Sequence, residues 1–149
     1  MAKFTRPLRV VIDTNHIASA ILSDRGASAK LIDWMTREEE YFQLLLSQPI
    51  LDEYSSVLNW LVPPELHEER DRILEILRWQ SMWVEPQYEL QVCRDRADNR
   101  FLECAVEGNA DYLVTKNIKH FPHKEYKGVR IVRIRMFLDT LEQMAVDKR

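Results

Sequence analysis

The chain has 149 residues, 46% of them hydrophobic and 30% charged, with a formal net charge of −3. That length fits one domain with a core that needs no disulfide or metal staple, and the composition is that of an ordinary soluble globular protein. Three Gly and six Pro exclude a low-complexity tract or flexible linker, and no internal repeat is present. No run reaches the roughly 18 apolar residues of a bilayer span. The start, MAKFTRPLRV, lacks the apolar run and cleavage pattern of a signal peptide, so a cytoplasmic protein with no membrane partner is expected.

Leu8–Ile12 is a β-branched apolar run and reads as a first strand. Helical text follows from about Asn15 to Leu22, breaks at Ser23-Asp24-Arg25-Gly26, and resumes over Ala27–Arg37. Phe42–Leu46 reads as a second strand, after which Ser47 serves as N-cap of a helix running to about Leu61. Pro63-Pro64 breaks the chain, and Glu65–Gln80 is amphipathic, with Leu66, Ile73, Leu74, Leu77 and Trp79 expected to be buried. A short strand over Met82–Val84 closes at Pro86. Asp98–Glu107 reads as a helix that stops at Gly108, followed by strands Tyr112–Thr115 and Val129–Ile134 and a last helix Arg135–Met144. Alternation of strands and helices predicts an α/β domain with a mainly parallel sheet covered on both faces.

In such sheets the functional site lies outside the carboxyl ends of the strands. Two apolar strands stop there in matching polar triplets, Asp13-Thr14-Asn15 and Thr115-Lys116-Asn117. Two further acids fall on apolar helix faces. Glu53 shares a stripe with Ile50, Tyr54, Val57, Leu58 and Leu61, whereas Asp52 lies on its flank. Asp98 precedes Phe101 and Leu102 on the stripe completed by Ala105 and Val106, while Asn99, Arg100, Glu103 and Glu107 point elsewhere. Taken singly, Asp13 and Asp98 read as N-caps and Glu53 as an acid at the core edge. Taken together, three acids from separate elements reach the same end of one sheet with no base on their stripes. Such a cluster repels itself unless a cation neutralises it, and oxygen-only ligands suit Mg²⁺ or Mn²⁺ better than zinc. That chemistry supports metal-assisted phosphodiester hydrolysis.

Charge is unevenly distributed. Residues 36–69 hold eight acids against one base, and residues 112–149 hold nine bases against four acids. Such a layout steers an anionic partner to one face, or simply reflects solvated helix surfaces. Arg94, Arg96 and Arg100 flank Asp98, and Lys116, Lys119 and His120 flank Asn117, where they can position phosphates without reading bases.

The blocks VVIDTN, SQPILDEYSSVL, RDRADNRFLECAVEGNADYLVTKNIKHFP and VRIVRIRMFLDTL resemble PIN-domain proteins, in order, over nearly the whole chain. The closest subgroup is the VapC-like toxins of type II toxin–antitoxin systems. The resemblance implies a single PIN domain over 1–149, with its core at about 8–144, and a three-layer α/β/α fold around a mainly parallel sheet. It also implies Mg²⁺- or Mn²⁺-dependent ribonuclease activity on an RNA substrate, a small antitoxin partner and a homodimer. Position by position, the family's acids match Asp13, Glu53 and Asp98, and Asp95 is an additional acid that contributes to the metal environment. Thr14, Asn15 and Thr115 match supporting polar positions that orient ligands. The chain departs from the family at Asn117, where many PIN domains carry a fourth acid; its amide oxygen can still ligate but adds no charge.

His16 and His120 adjoin the site but match no family role, and His67 and His123 show no ligand spacing. Cys93 and Cys104 are read as small apolar residues kept reduced. Trp60, Trp79 and Trp83 are expected in core or dimer packing rather than in base stacking. Two rival readings remain. One is a non-catalytic PIN module that binds RNA or a protein, with the acids as caps. The other is a phosphotransferase, disfavoured by Asn15 where a second Asp is wanted and by the lack of a Gly-rich phosphate loop.

Overall fold

The computed structural model describes residues 6–148. Six strands form one sheet in the order β3-β2-β1-β4-β6-β5, built from β1 (Leu8–Ile12), β2 (Phe42–Leu46), β3 (Met82–Trp83), β4 (Tyr112–Val114), β5 (Glu125–Tyr126) and β6 (Val129–Val132). Every pair is parallel except β5 with β6. Val10, Val11 and Ile12 in the centre of the sheet are fully buried, as a parallel strand covered on both faces requires. The covering helices are α1 (Thr14–Leu22), α2 (Ala27–Met35), α3 (Gln48–Leu61), α4 (His67–Gln80), α5 (Arg96–Glu107) and α6 (Ile134–Asp147). This is the α/β architecture expected from the alternating pattern.

The register fixes which residues share the carboxyl edge. Ile12 pairs with Val114, and Val114 pairs with Val132. The ladder then runs one step further, Asp13 N donating to Val114 O at 3.1 Å and Thr115 N to Val132 O at 3.0 Å. Asp13 and Thr115 therefore leave adjacent strands at the same level. On the far side of β1, Ser47 caps α3 by accepting from Ile50 N at 3.3 Å. Fully buried Tyr54 donates its hydroxyl proton to the carbonyl of Ile12, which ties α3 to the end of β1. Glu53 precedes that tyrosine and Asp13 follows that carbonyl.

Several local expectations change. Asp95, not Asp98, caps α5, accepting from Ala97 N at 2.8 Å, so Asp98 lies in the first turn of the helix rather than at its cap. Gly108 does not take the left-handed conformation at the end of α5; Asn109 does, with φ 53°. Bonds from Asn109 N to Val106 O and from Ala110 N to Ala105 O complete a Schellman closure. Gly108 is instead needed for close approach, because a Cβ there would meet Leu45 at 2.6 Å and Val84 at 2.9 Å. Strand β5 was not anticipated; it pairs with β6 through a turn in which Lys127 and Gly128 both have positive φ.

The tryptophan expectation is corrected for the core. Trp60 is 73% exposed, Trp79 80% and Trp83 46%. Helix α4 turns Ile73 and Leu77 into the core, and Trp79, two residues beyond Leu77, falls on the opposite side of the helix. The tryptophan that enters the core is Trp34, edge-on to Tyr41.

Candidate active site

Asp13 is 3% exposed, and each of its oxygens is held. Oδ1 accepts from His16 N at 3.2 Å, so the N-cap reading is correct for this acid. Oδ2 accepts from Thr115 Oγ1 at 2.6 Å and from Lys116 N at 3.1 Å. The DTN and TKN triplets thus meet directly, and the second fixes the carboxylate of the first. Thr115 Oγ1 in turn accepts from Asn117 N at 2.9 Å, which orders the turn after β4.

Asp98 is 7% exposed, and its Oδ2 lies 3.0 Å from His120 Nδ1. Burial pushes the Asp98 carboxyl above its ordinary value. The His120 bond opposes that shift, and the charges of Asp95 and Asp13 add to it. Glu53 is raised as well, first by burial and then by the charges of Asp95 and Asp98. The four acids thus interact through space, although they come from β1, α3, α5 and the segment before it. Cys93 sits beside them, its thiol pushed up to about 11 by burial and by Asp98 and Asp95, which leaves it protonated and unreactive.

Among the described residues, no three His, Cys, Asp or Glu side chains converge closely enough to cage a metal ion. The donor chemistry nonetheless fits a hard divalent cation. The donors are all oxygen, and two of the carboxyls carry a burden of burial and mutual charge that a cation would relieve. Thr14 Oγ1, next to Asp13, is buried without a hydrogen-bond partner.

A family model described as a PIN domain matches residues 9–119, from β1 through the turn that follows β4. The chain belongs to the PIN-domain family. An uncharacterized protein of Methanocaldococcus jannaschii is similar to it, 33% identical over 109 residues, covering 69% of this chain and 67% of the relative. PIN domains are usually nucleases and generally depend on divalent metal ions. The matched span contains Asp13, Glu53, Asp95, Asp98 and Asn117 of this PIN domain.

The remaining candidates separate in space. Asn15 is exposed, and the Asn117 side chain makes no hydrogen bond among the described residues. Arg94, Arg96 and Lys119 are exposed and make no ion pair among the described residues, whereas Lys116 Nζ donates to Ser19 Oγ at 2.7 Å. Arg100 is turned away from the acids, its guanidinium 2.9 Å from Glu103 and 3.8 Å from Glu89. His16 is buried against Ser28 at 3.0 Å and does not face a substrate.

Sequence reading missed three contributors. His120 contacts Asp98 across 22 residues of chain, a separation no local pattern records. Asn99 and Glu103 were expected to point outward but are 5% and 6% exposed. Their spacing with Glu107 (i, i+4, i+8) was the available signal, a second polar stripe on α5 opposite nothing obvious in the sequence.

Proposed function

We propose that this PIN domain is a ribonuclease that uses Mg²⁺ or Mn²⁺ held by Asp13, Glu53 and Asp98, with Asp95 and Asn117 at the margin of the site. The observation that supports this reading is the fixing of the buried Asp13 carboxylate by Thr115 and Lys116, together with the raised, mutually charge-coupled carboxyls of Asp98 and Glu53. When bound, such an ion lowers the pKa of a water, polarises the phosphate and stabilises the leaving oxygen. The chain's own residues do the positioning. Thr115 and the Lys116 amide hold the Asp13 carboxylate in one orientation, His120 holds Asp98, and Arg94, Arg96 and Lys119, without ion-pair partners among the described residues, attract the phosphate backbone.

The direct test is purified protein on single-stranded RNA with Mg²⁺ and Mn²⁺. Asp98→Asn is expected to lower cleavage by more than about 100-fold, beyond what loss of a ligand's supporting partner costs, with an unchanged far-UV circular dichroism spectrum. Full activity in that variant sinks the assignment.

A toxin role, a small antitoxin partner, a homodimer, a cytoplasmic location and a single-domain organisation belong to the same proposal. The resemblance of the sequence blocks to VapC-like proteins supports the first two. Exposed Trp60 and Trp79 support apolar contact with a protein surface. Sedimentation of the chain, alone and with the product of any adjacent short gene, tests this; a monomer in both samples refutes it. No described helix is long and apolar enough to cross a membrane.

A non-catalytic module is the reading that the neutral Asn117 favours. Titration of Mn²⁺ against melting temperature separates the two: no shift together with no cleavage supports the module.

A further inference from the structure

Residues 84–95, between β3 and α5, form neither helix nor strand, yet one face of α5 holds their backbone. Glu107 Oε1 accepts from Gln87 N at 3.0 Å, and Glu103 Oε2 accepts from Leu90 N at 2.7 Å. Asn99 Oδ1 accepts from both Val92 N at 3.1 Å and Cys93 N at 2.8 Å, and Asn99 Nδ2 donates to Cys93 O at 2.9 Å. Residues four apart on a helix lie one above the other, so the three side chains make one row along the strap. Asn99 is the most demanding position in that row. It must accept two protons and donate one from a single planar group, which a primary amide does and a carboxylate or an aliphatic side chain does not.

The clamped residues lead straight into Arg94 and Asp95. With Val92, Lys119, His120 and Pro122, these line a cavity of about 770 Å³. The cavity opens beside the acid cluster, because His120 is hydrogen-bonded to Asp98. Arg94 and Lys119 bring two cations without ion-pair partners among the described residues to the lining of this one cavity. An arginine on an irregular segment would lose most of its positional precision through backbone and side-chain freedom. The Asn99 clamp removes the backbone part of that freedom one residue before Arg94.

We propose that Asn99 is a positioning residue: it fixes the strap so that Arg94 lines the same cavity as Lys119, and the two grip the phosphate backbone of single-stranded RNA leaving the acid cluster. This role rests on the ribonuclease reading and names the path of the substrate through it.

The test is the salt dependence of binding in metal-free buffer, read by fluorescence anisotropy with a labelled single-stranded oligouridylate. Each phosphate contact on a single strand contributes about 0.7 to the slope of log K against log salt. Arg94→Ala is expected to lower the slope by about 0.7, which is about fivefold in affinity between 1 M and 0.1 M salt. Asn99→Ala is expected to lower it by the same amount although it removes no charge. The double variant is expected to go no lower, since the two residues act as one unit. A purely structural Asn99 would lower melting temperature and leave the slope unchanged.

A wild-type chain that binds RNA while Asn99→Ala keeps the full slope overturns the role of Asn99 alone. A wild-type chain that does not bind overturns the ribonuclease reading and this role with it. If Asn99→Ala does not fold, hydrogen exchange of the wild type decides. Slow exchange at the Val92 and Cys93 amides, with a lowered slope in Arg94→Ala, upholds the clamp; exchange as fast as in an open loop overturns it.

Discussion

Thr115→Val removes the contact that joins the two polar strand ends, and its cost can be worked out from the structure. Thr115 is 1% exposed; its hydroxyl donates to Asp13 Oδ2 at 2.6 Å and accepts from Asn117 N at 2.9 Å. A hydrogen bond to a charged group contributes about 1.5–3 kcal/mol, and an amide left without a partner costs about 1–3 kcal/mol when fully buried. Asn117 is only half-buried, so water recovers part of the second amount. The methyl group that replaces the hydroxyl returns roughly 0.8 kcal/mol of apolar burial. The net loss is about 2–4 kcal/mol, and for a chain of this size that lowers the melting temperature by about 5–15 °C. Thermal melts at neutral pH followed by circular dichroism measure it. Thr115→Ser is the control, since it keeps both bonds and loses one methyl group, at about 1 kcal/mol. A valine variant that melts within about 2 °C of wild type, or a serine variant that falls as far as the valine one, refutes the reasoning.

Two other substitutions probe the charge at the site. Glu53 has a raised pKa in the folded state, so its stability contribution is present at low pH and is lost as pH rises through that folded value. Glu53→Gln is therefore expected to melt above wild type at pH 7 in chelator, with the gap closing as pH falls below the ordinary carboxylate range near about 4.3. A gap that is constant or reversed across that range contradicts the assignment. Asn117→Asp adds a carboxylate beside Thr115 and Asp13 and is expected to melt below wild type in chelator. With Mn²⁺ it should gain more in melting temperature than wild type does, because an additional anionic ligand tightens a hard-cation site. Equal gains would place residue 117 outside the metal environment.

The elements most legible in the sequence were those whose signal is local. Val10-Val11-Ile12 announces a buried parallel strand because every residue in it is apolar, and the Ser47-Pro49 start of α3 follows from capping chemistry. Leu102 and Ala105 were placed correctly because helical periodicity alone sets their face. Trp79 misled because its apolar character was read ahead of its position: two residues after Leu77 it lies about 200° round the helix, away from the buried Ile73 and Leu77, and is 80% exposed.

The candidate site divides along the same line. Asp13 and Thr115 could be assigned to one edge because parallel strands end at one side of a sheet, but their direct bond depends on β1 and β4 being neighbours in register. Asp98 was identifiable as an inward acid, yet its cap position passed to Asp95, since helix starts are set by which side chain reaches the free amides. His120 on Asp98 and the Asn99 clamp are contacts to a turn and a strap that have no periodicity of their own.

The sequence by itself determined the alternation of strands and helices, the carboxyl-edge location and the acidic, oxygen-donor character of the site, because these follow from local pattern and from the geometry of parallel sheets. Only the tertiary structure decided which groups hold the carboxylates of Asp13 and Asp98. Those outcomes depend on pairs such as Thr115 with Asp13, 102 residues apart, that meet only once β4 has added to β1.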